Sequence, residues 1–555
     1  MGTMEYKDNA RLLEKANRNA CGLKGLRRNR HALRWKEENE RCSGYRLSIR
    51  SMLWTLAAGL LIGMLAGCTG KFRSPEMKLP DRYLYAGNLD TSRTVVNTRW
   101  WENFGDTLLN SLIEQALENN RDLAAAASRV EQARINIGAV RSQFLPSFGA
   151  GLSGSAEYTE QTKIEQEYFL KPSVSWEISL FGKLKHATEA ARAELLSSEA
   201  AYRGVMLSLA AEVATTYFTL LQYERNLEIS IKSYRLRKQS TDMIDSMFRY
   251  GMSSAVALEQ ARGLTATAAA DIPQYQRAVA QTALSLNILL GENPQPFIHH
   301  SLLFYDTVQI ADGQQAENLN ERRTPIKTEF DQAMDAYIRS GWESDGKEQD
   351  ELGSTLLSDS LPEKIPAGLP AALLQRRPDI LEAYYKAQAA WARIGVAQAA
   401  RWPSISLTAD GGVLSGTVKG LFHGNPFVWS AGLSVTEPIF AFGRNKRNVE
   451  IAREESHQAV LDYEQTVLTA LGDVEKALVA ISTYREQLQK QRELLRATAV
   501  TQLLTNELYR SGLTDYLQVL DAERTFYDNQ IQYISIRSQQ FVSYIALYKA
   551  LGGGW

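Results

Sequence analysis

Leu517, Asp521 and Arg524 stand at i, i+4 and i+7, a spacing that puts an apolar group, a carboxylate and a guanidinium on one helical face. By residue type alone this is a salt-bridged helix surface worth a few tenths of a kcal/mol. Asp473 and Glu475 read the same way, as a solvated helix face. His299-His300 is an adjacent pair whose side chains diverge in either helix or strand, which fits a surface feature better than a metal site. The thiol with the most informative position is Cys68, preceded by Leu65-Ala66-Gly67 and followed by no other cysteine. No Gly-rich phosphate loop, paired-cysteine motif or HExxH occurs in the 555 residues. Catalysis, a bound cofactor and a metal centre are therefore not expected, and Cys21 and Cys42 imply none. What these residues do depends on the elements that hold them.

Every seventh residue from Val460 to Leu495 is apolar: Val460, Val467, Val474, Ile481, Leu488 and Leu495. Met206, Val213, Leu220, Leu227 and Tyr234 form the same ladder upstream. A sustained seven-residue period keeps one seam of a helix against partner helices. Phe181-Gly182 precedes the first ladder and Phe442-Gly443 the second, and a glycine turn follows each, at Gly251 and Gly512. Both glycine-to-glycine spans are 69 residues, so one unit occurs twice. At 1.5 Å per residue it contains a rod of ~100 Å.

Upstream of each rod, Asp122 to Pro146 and Asp379 to Pro403 read as amphipathic helices that stop where a Pro-Ser step begins. Val174–Leu180, Ser404–Asp410 and Trp429–Thr436 then alternate apolar and polar residues with period two, the pattern of strands with one greasy face and one wet face. Each repeat reads helix, strand, strand, long helix, turn, returning helix. The first covers 101–291 and the second 367–555, separated by an acidic, loop-rich segment, 292–366, with a helix-like stretch near Ile326–Ile338. Four strands cannot enclose an interior, for which about eight are needed. Their open edges invite pairing, so closure is expected to come from other copies of the chain. The fold class is mainly α with a small β part.

Composition agrees with an elongated, mostly water-exposed particle: 44% of residues are hydrophobic and the mean hydropathy is −0.29. No run of ~20 apolar residues occurs beyond the N-terminal one, so a helical span is not expected. Arg46 and Arg50 lead into the short apolar stretch Met52–Leu65 and then small residues before Cys68, the parts of a secretory signal. Leu65-Ala66-Gly67-Cys68 resembles a bacterial lipobox, which implies cleavage before Cys68 and a covalent lipid on its thiol, with Thr69 pointing to the outer membrane. Residues 1–67 are thus leader, 1–45 are longer than such a signal needs, and the natural start is expected near Tyr45. That leader holds 13 Lys plus Arg and 6 Asp plus Glu, which leaves 49 against 57 and a net charge of −8 for the rest of the chain. Residues 68–100 would then be the lipid-anchored N-terminal segment.

The doubled unit, the lipobox, the Pro-Ser strand entries, the Phe-Gly helix starts, the run from Tyr509 to Arg524 and the final Tyr548–Trp555 resemble the outer-membrane factor family. The lipoprotein exit ducts of resistance-nodulation-division pumps belong to it. The resemblance covers Trp100–Leu290 and Ile365–Trp555. It implies a homotrimer with a twelve-stranded β-barrel in the outer membrane and a long coiled-coil barrel across the periplasm, with no nucleic-acid partner. Segment 292–366 then resembles an enlarged equatorial belt; a partly disordered insertion is the alternative. The glycine turns at Gly251 and Gly512 would form the tip that docks a periplasmic adaptor joined to an inner-membrane pump. Leu517, Asp521 and Arg524 match the positions that seal the tip, as stacked rings of leucine, carboxylate and a cationic partner. Val256, Gln260 and Gly263 occupy the matching places in the first repeat and are uncharged. The implied function is a passive efflux duct. Protein secretion through the same fold, or a purely structural envelope lipoprotein, are the alternatives.

Overall fold

The computed structural model describes residues 72–73, 75–77, 79–85, 99–159, 163–295, 370–423 and 427–553. Cys68, the leader, His299-His300, Ile326–Ile338 and Trp555 lie outside them. The element order is α1 (Thr107–Asn119), α2 (Arg121–Ser142), β1 (Ser147–Thr159), β2 (Lys163–Ile178), α3 (Lys183–Arg249) and α4 (Ala255–Leu289). The second half continues with α5 (Pro378–Ala399), β3 (Ser404–Ser415), β4 (Phe427–Thr436), α6 (Arg444–Arg510) and α7 (Tyr516–Ala550).

The duplication expected from the spacings is present element by element. α3 and α6 are each 67 residues long, or ~100 Å. α4 and α7 are each 35 residues, and α2 and α5 each 22. The apolar ladders are the packing seams: Val213, Leu220 and Leu227 are buried, as are Val467, Val474, Ile481, Leu488 and Leu495. α3 and α6 both start after a glycine in the left-handed region, Gly182 at φ 76° and Gly443 at φ 79°, a conformation that costs other residues roughly 1–2 kcal/mol.

Helix neighbours run in a fixed order. Beside the strands it is α2, α3, α5, α6; at the other end of the rods it is α4, α3, α7, α6. The two short helices of each repeat therefore lie end to end beside the long ones, as their lengths require. The sheet is antiparallel throughout, in the order β1, β2, β3, β4. One end of the order is open at β1, α2 and α4, and the other at β4 and α6.

α1 was not anticipated from sequence. It wedges Leu109, Leu112, Ile113 and Ala116 into the core between the rods, where Phe218 and Phe541 stack with ring centroids 4.5 Å apart. Asp106 caps α1 by accepting from the Leu108 and Leu109 amides, and it also accepts from the Tyr217 hydroxyl at 2.7 Å. α3 is the described helix apolar enough over 18 residues to suit a membrane. Its apolar surface is instead spent on α1, α2, α4, α5 and α7, which all pack against it.

Candidate functional site

The register sorts every strand residue onto one of two faces. On one face Phe148 pairs with Val174, Ala150 with Pro172 and Leu152 with Leu170. The row continues through Trp176 opposite Leu407, Ile405 opposite Val435, and Leu407 opposite Leu433. On the other, Ser147 faces Ser175, Ser175 faces Thr408, and Asp410 faces Ser430. The apolar face is bare: Phe148, Leu152, Trp429 and Leu433 are each 67–79% exposed. Aromatic side chains mark both of its ends, Phe148 and Trp176 at the helix end and Tyr158, Tyr168 and Phe427 at the loop end. Trp176 and Tyr168 are ~26 Å apart along β2 at 3.3 Å per residue, comparable with the ~25 Å apolar band between the aromatic girdles of outer-membrane barrels. This sheet is a wall between hydrocarbon and water.

At the far end of the rods the two turns are built alike. Gly251 has φ 73° and Gly512 φ 72°. The Met252 amide donates to Met247 O and the Leu513 amide to Leu508 O, closing the same six-residue loop over each helix end. Ser254 and Asp515 then cap α4 and α7. Ile244, Leu258, Ala261, Tyr516, Val519 and Leu520 pack the two hairpins together at the tip.

The sequence-predicted residues sit on the outward side of α7. Leu517 is 43% exposed. Arg524 Nη2 donates to Asp521 Oδ1 at 2.7 Å, with both side chains more than 60% exposed. Within one chain they are thus the paired surface face that residue type implies. Behind them α7 carries a buried polar layer. Tyr527 Oη lies 2.8 Å from Ser230 Oγ and donates to Asp271 at 2.9 Å, and the Arg237 guanidinium lies 4.9 Å over its ring. Burial pushes the Glu523 carboxyl up and the Arg237 guanidinium down from their ordinary pKa values.

Asp473 and Glu475 are not the solvated face their sequence suggests. Asp473 pairs with Arg377 at 3.4 Å and Lys476 at 3.8 Å. Glu475 accepts from two backbone amides of the N-terminal segment, Leu84 at 2.6 Å and Tyr85 at 3.1 Å. These long-range partners lie 96 and 391 positions away, beyond the reach of a periodicity argument. Arg377 is a buried hub: it donates to both Asp379 oxygens, to Ala470 O and to Ala550 O, tying α5 to α6 and α7. Its signal was the Arg-Pro-Asp step at the start of α5. Tyr83 inserts into the core beside it, 4% exposed. Among the described residues no group of three His, Cys, Asp or Glu could hold a metal ion.

The family described as outer membrane efflux protein matches residues 112–292 and 369–553, the two repeats. The cation efflux system protein CusC of Escherichia coli is 31% identical over 498 residues, covering 88% of this chain and 96% of CusC. A solved structure of CusC superposes with a TM-score of 0.67 over 87% of this chain and 99% of that one, at 29% identity. The toluene efflux pump outer membrane protein TtgC of Pseudomonas putida is 32% identical over 89% of this chain and 94% of TtgC. The probable outer membrane lipoprotein SilC of Salmonella typhimurium is 30% identical over 89% and 97%. The chain carrying this duplicated wall-and-rod unit belongs to the outer membrane efflux protein family.

Proposed function

We propose that three copies of the chain close head to tail into a passive duct. It runs from a periplasmic adaptor and an inner-membrane pump, through a twelve-stranded barrel, to the cell exterior. The observation that carries this is the pair of open edges. On α6 the side away from the buried ladder carries three exposed apolar residues, Ile451, Leu461 and Leu468, 49–57% exposed. On the other edge α2 exposes Ile135 and α4 exposes Leu284 and Ile288. Different patches at the two ends of one layer make a heterologous contact, which closes into a ring when the rotation allows. The same contact supplies β1 with a β4 partner and removes both sheet edges.

Ring closure brings Leu517, Asp521 and Arg524 of each copy toward one axis, where they act as the seal at the tip. Tyr250, Met252 and Leu513, 66–80% exposed beside the two glycines, offer the adaptor an apolar docking rim. The names of the relatives point to different cargo, cations for CusC and toluene for TtgC, at nearly equal identity. What passes is therefore set by the pump.

Lipid attachment at Cys68 completes the reading. Phe72 lies against Tyr384 and Trp391 at 5.6 and 6.3 Å. Trp391 is eight residues before the strand end of α5, ~12 Å along that helix. Phe72, four residues after Cys68, is thus held by α5. Mass spectrometry of the mature N-terminal peptide should find a diacylglyceryl group that C68S lacks; unprocessed peptides would refute the anchor.

The gate is tested by D521A/R524A in planar bilayers. Removing a few interactions at the tip shifts a closed–open balance without unfolding the rods, so conductance should rise several-fold over wild type. Wild-type conductance in the double variant would place the seal elsewhere.

A further inference from the structure

The polar face of the sheet carries little charge through its middle. Ser173, Ser175, Thr408 and Ser434 are typical of it. One ion pair interrupts this surface: Lys171 Nζ on β2 lies 3.0 Å from Asp410 Oδ2 on β3, with the side chains 40% and 26% exposed. Asp410 is also reached by the Ser430 hydroxyl of β4 at 3.4 Å.

The backbone is irregular at this point. The β2–β3 register skips from Leu170 to Ser173, because Pro172 has no amide to give the ladder. Gly151 stands directly opposite Lys171, and a Cβ at Gly412 would run into the Leu170 carbonyl. Lysine is thus flanked by glycine on both neighbouring strands, and its carboxylate partner sits diagonally across. The pair sits at a glycine-lined break between the serine-rich stretch and Phe169, whose ring centroid lies 5.9 Å from Lys171 Nζ.

Its position says what it does. Facing water inside a closed barrel, an intact pair presents no net charge to a passing ion. Remove either partner and the other stands alone, repeated at one height by every copy of the chain. We propose that Lys171 and Asp410 are selectivity-determining residues of the channel, a charge-balanced ring that keeps the outer-membrane segment indifferent between cations and anions. This rests on the reading of the chain as a channel with its serine-rich face toward the lumen.

The test is a reversal potential across a dilute KCl gradient, in purified channels opened by D521A/R524A. In that background D410N should lower the K⁺/Cl⁻ permeability ratio by about twofold and K171Q should raise it by a similar factor. The swapped K171D/D410K should return the ratio of the opened parent. Both shifts should vanish near 1 M salt, where screening acts within ~3 Å. Should one single variant fail to insert, the other decides, because each must move the ratio in its own direction. The proposal is overturned if single variants leave the ratio unchanged or move it the same way. It is also overturned if neither inserts while the swap does, which would give the pair a folding role alone. Absence of any conductance steps in the parent would count against the gate or the channel reading, and not against the pair.

Discussion

Arg377 shows how differently two charges on one surface can weigh. Its guanidinium is buried, with five hydrogen bonds to Asp379, Asp473, Ala470 and Ala550. Lys476 meets the same Asp473 at 3.8 Å while 81% exposed. Breaking a buried, hydrogen-bonded charge leaves its partners uncompensated, so R377Q should cost about 2–4 kcal/mol. K476A should cost under ~0.5 kcal/mol, since exposed pairs contribute little. Thermal unfolding in detergent separates the two, and equal losses would contradict the hub. Glu224, on α3, gives a pH signature. Burial pushes its carboxyl up to about 7, with Arg225 opposing. A raised folded pKa means the native state holds the proton longer than the unfolded chain, so stability falls as pH rises from about 4.5 to 7. E224Q removes that loss. It should stabilise the protein by on the order of 2 kcal/mol at pH 8 and change little at pH 4; an unchanged pH profile would remove Glu224 from the account.

At the scale of elements, the hairpin tips are governed by one backbone conformation. A Cβ at Gly251 or Gly512 would meet nothing within 4 Å, so substitution there is strained by φ alone. G251V and G512V should each cost roughly 1–2 kcal/mol, whereas G512N should cost less because asparagine tolerates the left-handed region. Unfolding curves for the three variants check this; a larger loss at one turn would mean that side-chain crowding distinguishes them. These turns were legible because glycine and the 69-residue spacing are local signals. The rods, returning helices and alternating strands were legible for the same reason, since each is written as a period. α1 was not: its thirteen residues are too few to establish a period, and the adjoining Phe104 packs on Phe218 and Phe541 from distant parts of the chain. The Glu475 clamp and the Lys171–Asp410 pair escaped likewise, because each joins residues that only the register or the fold brings together. Leu517, Asp521 and Arg524 came from a resemblance, and the single chain gives them only the surface pairing that their spacing implies.

At the scale of the whole molecule, the account stands on ring closure. Among the described residues, ring closure would cover the exposed apolar side chains on the outer faces of α2, α4 and α6 and pair the free edges of β1 and β4. Ile135 on α2 and Ile451 on α6 are 64% and 56% exposed. Each lies about seven residues from the strand end of its helix, ~10 Å down the rod, so head-to-tail closure puts them at one height. The direct measurement is crosslinking of I135C/I451C with a flexible bismaleimide in detergent, read beside native mass. The account predicts a native mass of three chains and a covalent ladder ending at the trimer, with neither single-cysteine variant giving it. A monomeric native mass with protected β1 and β4 amides, or a ladder that stops at dimer, would contradict it.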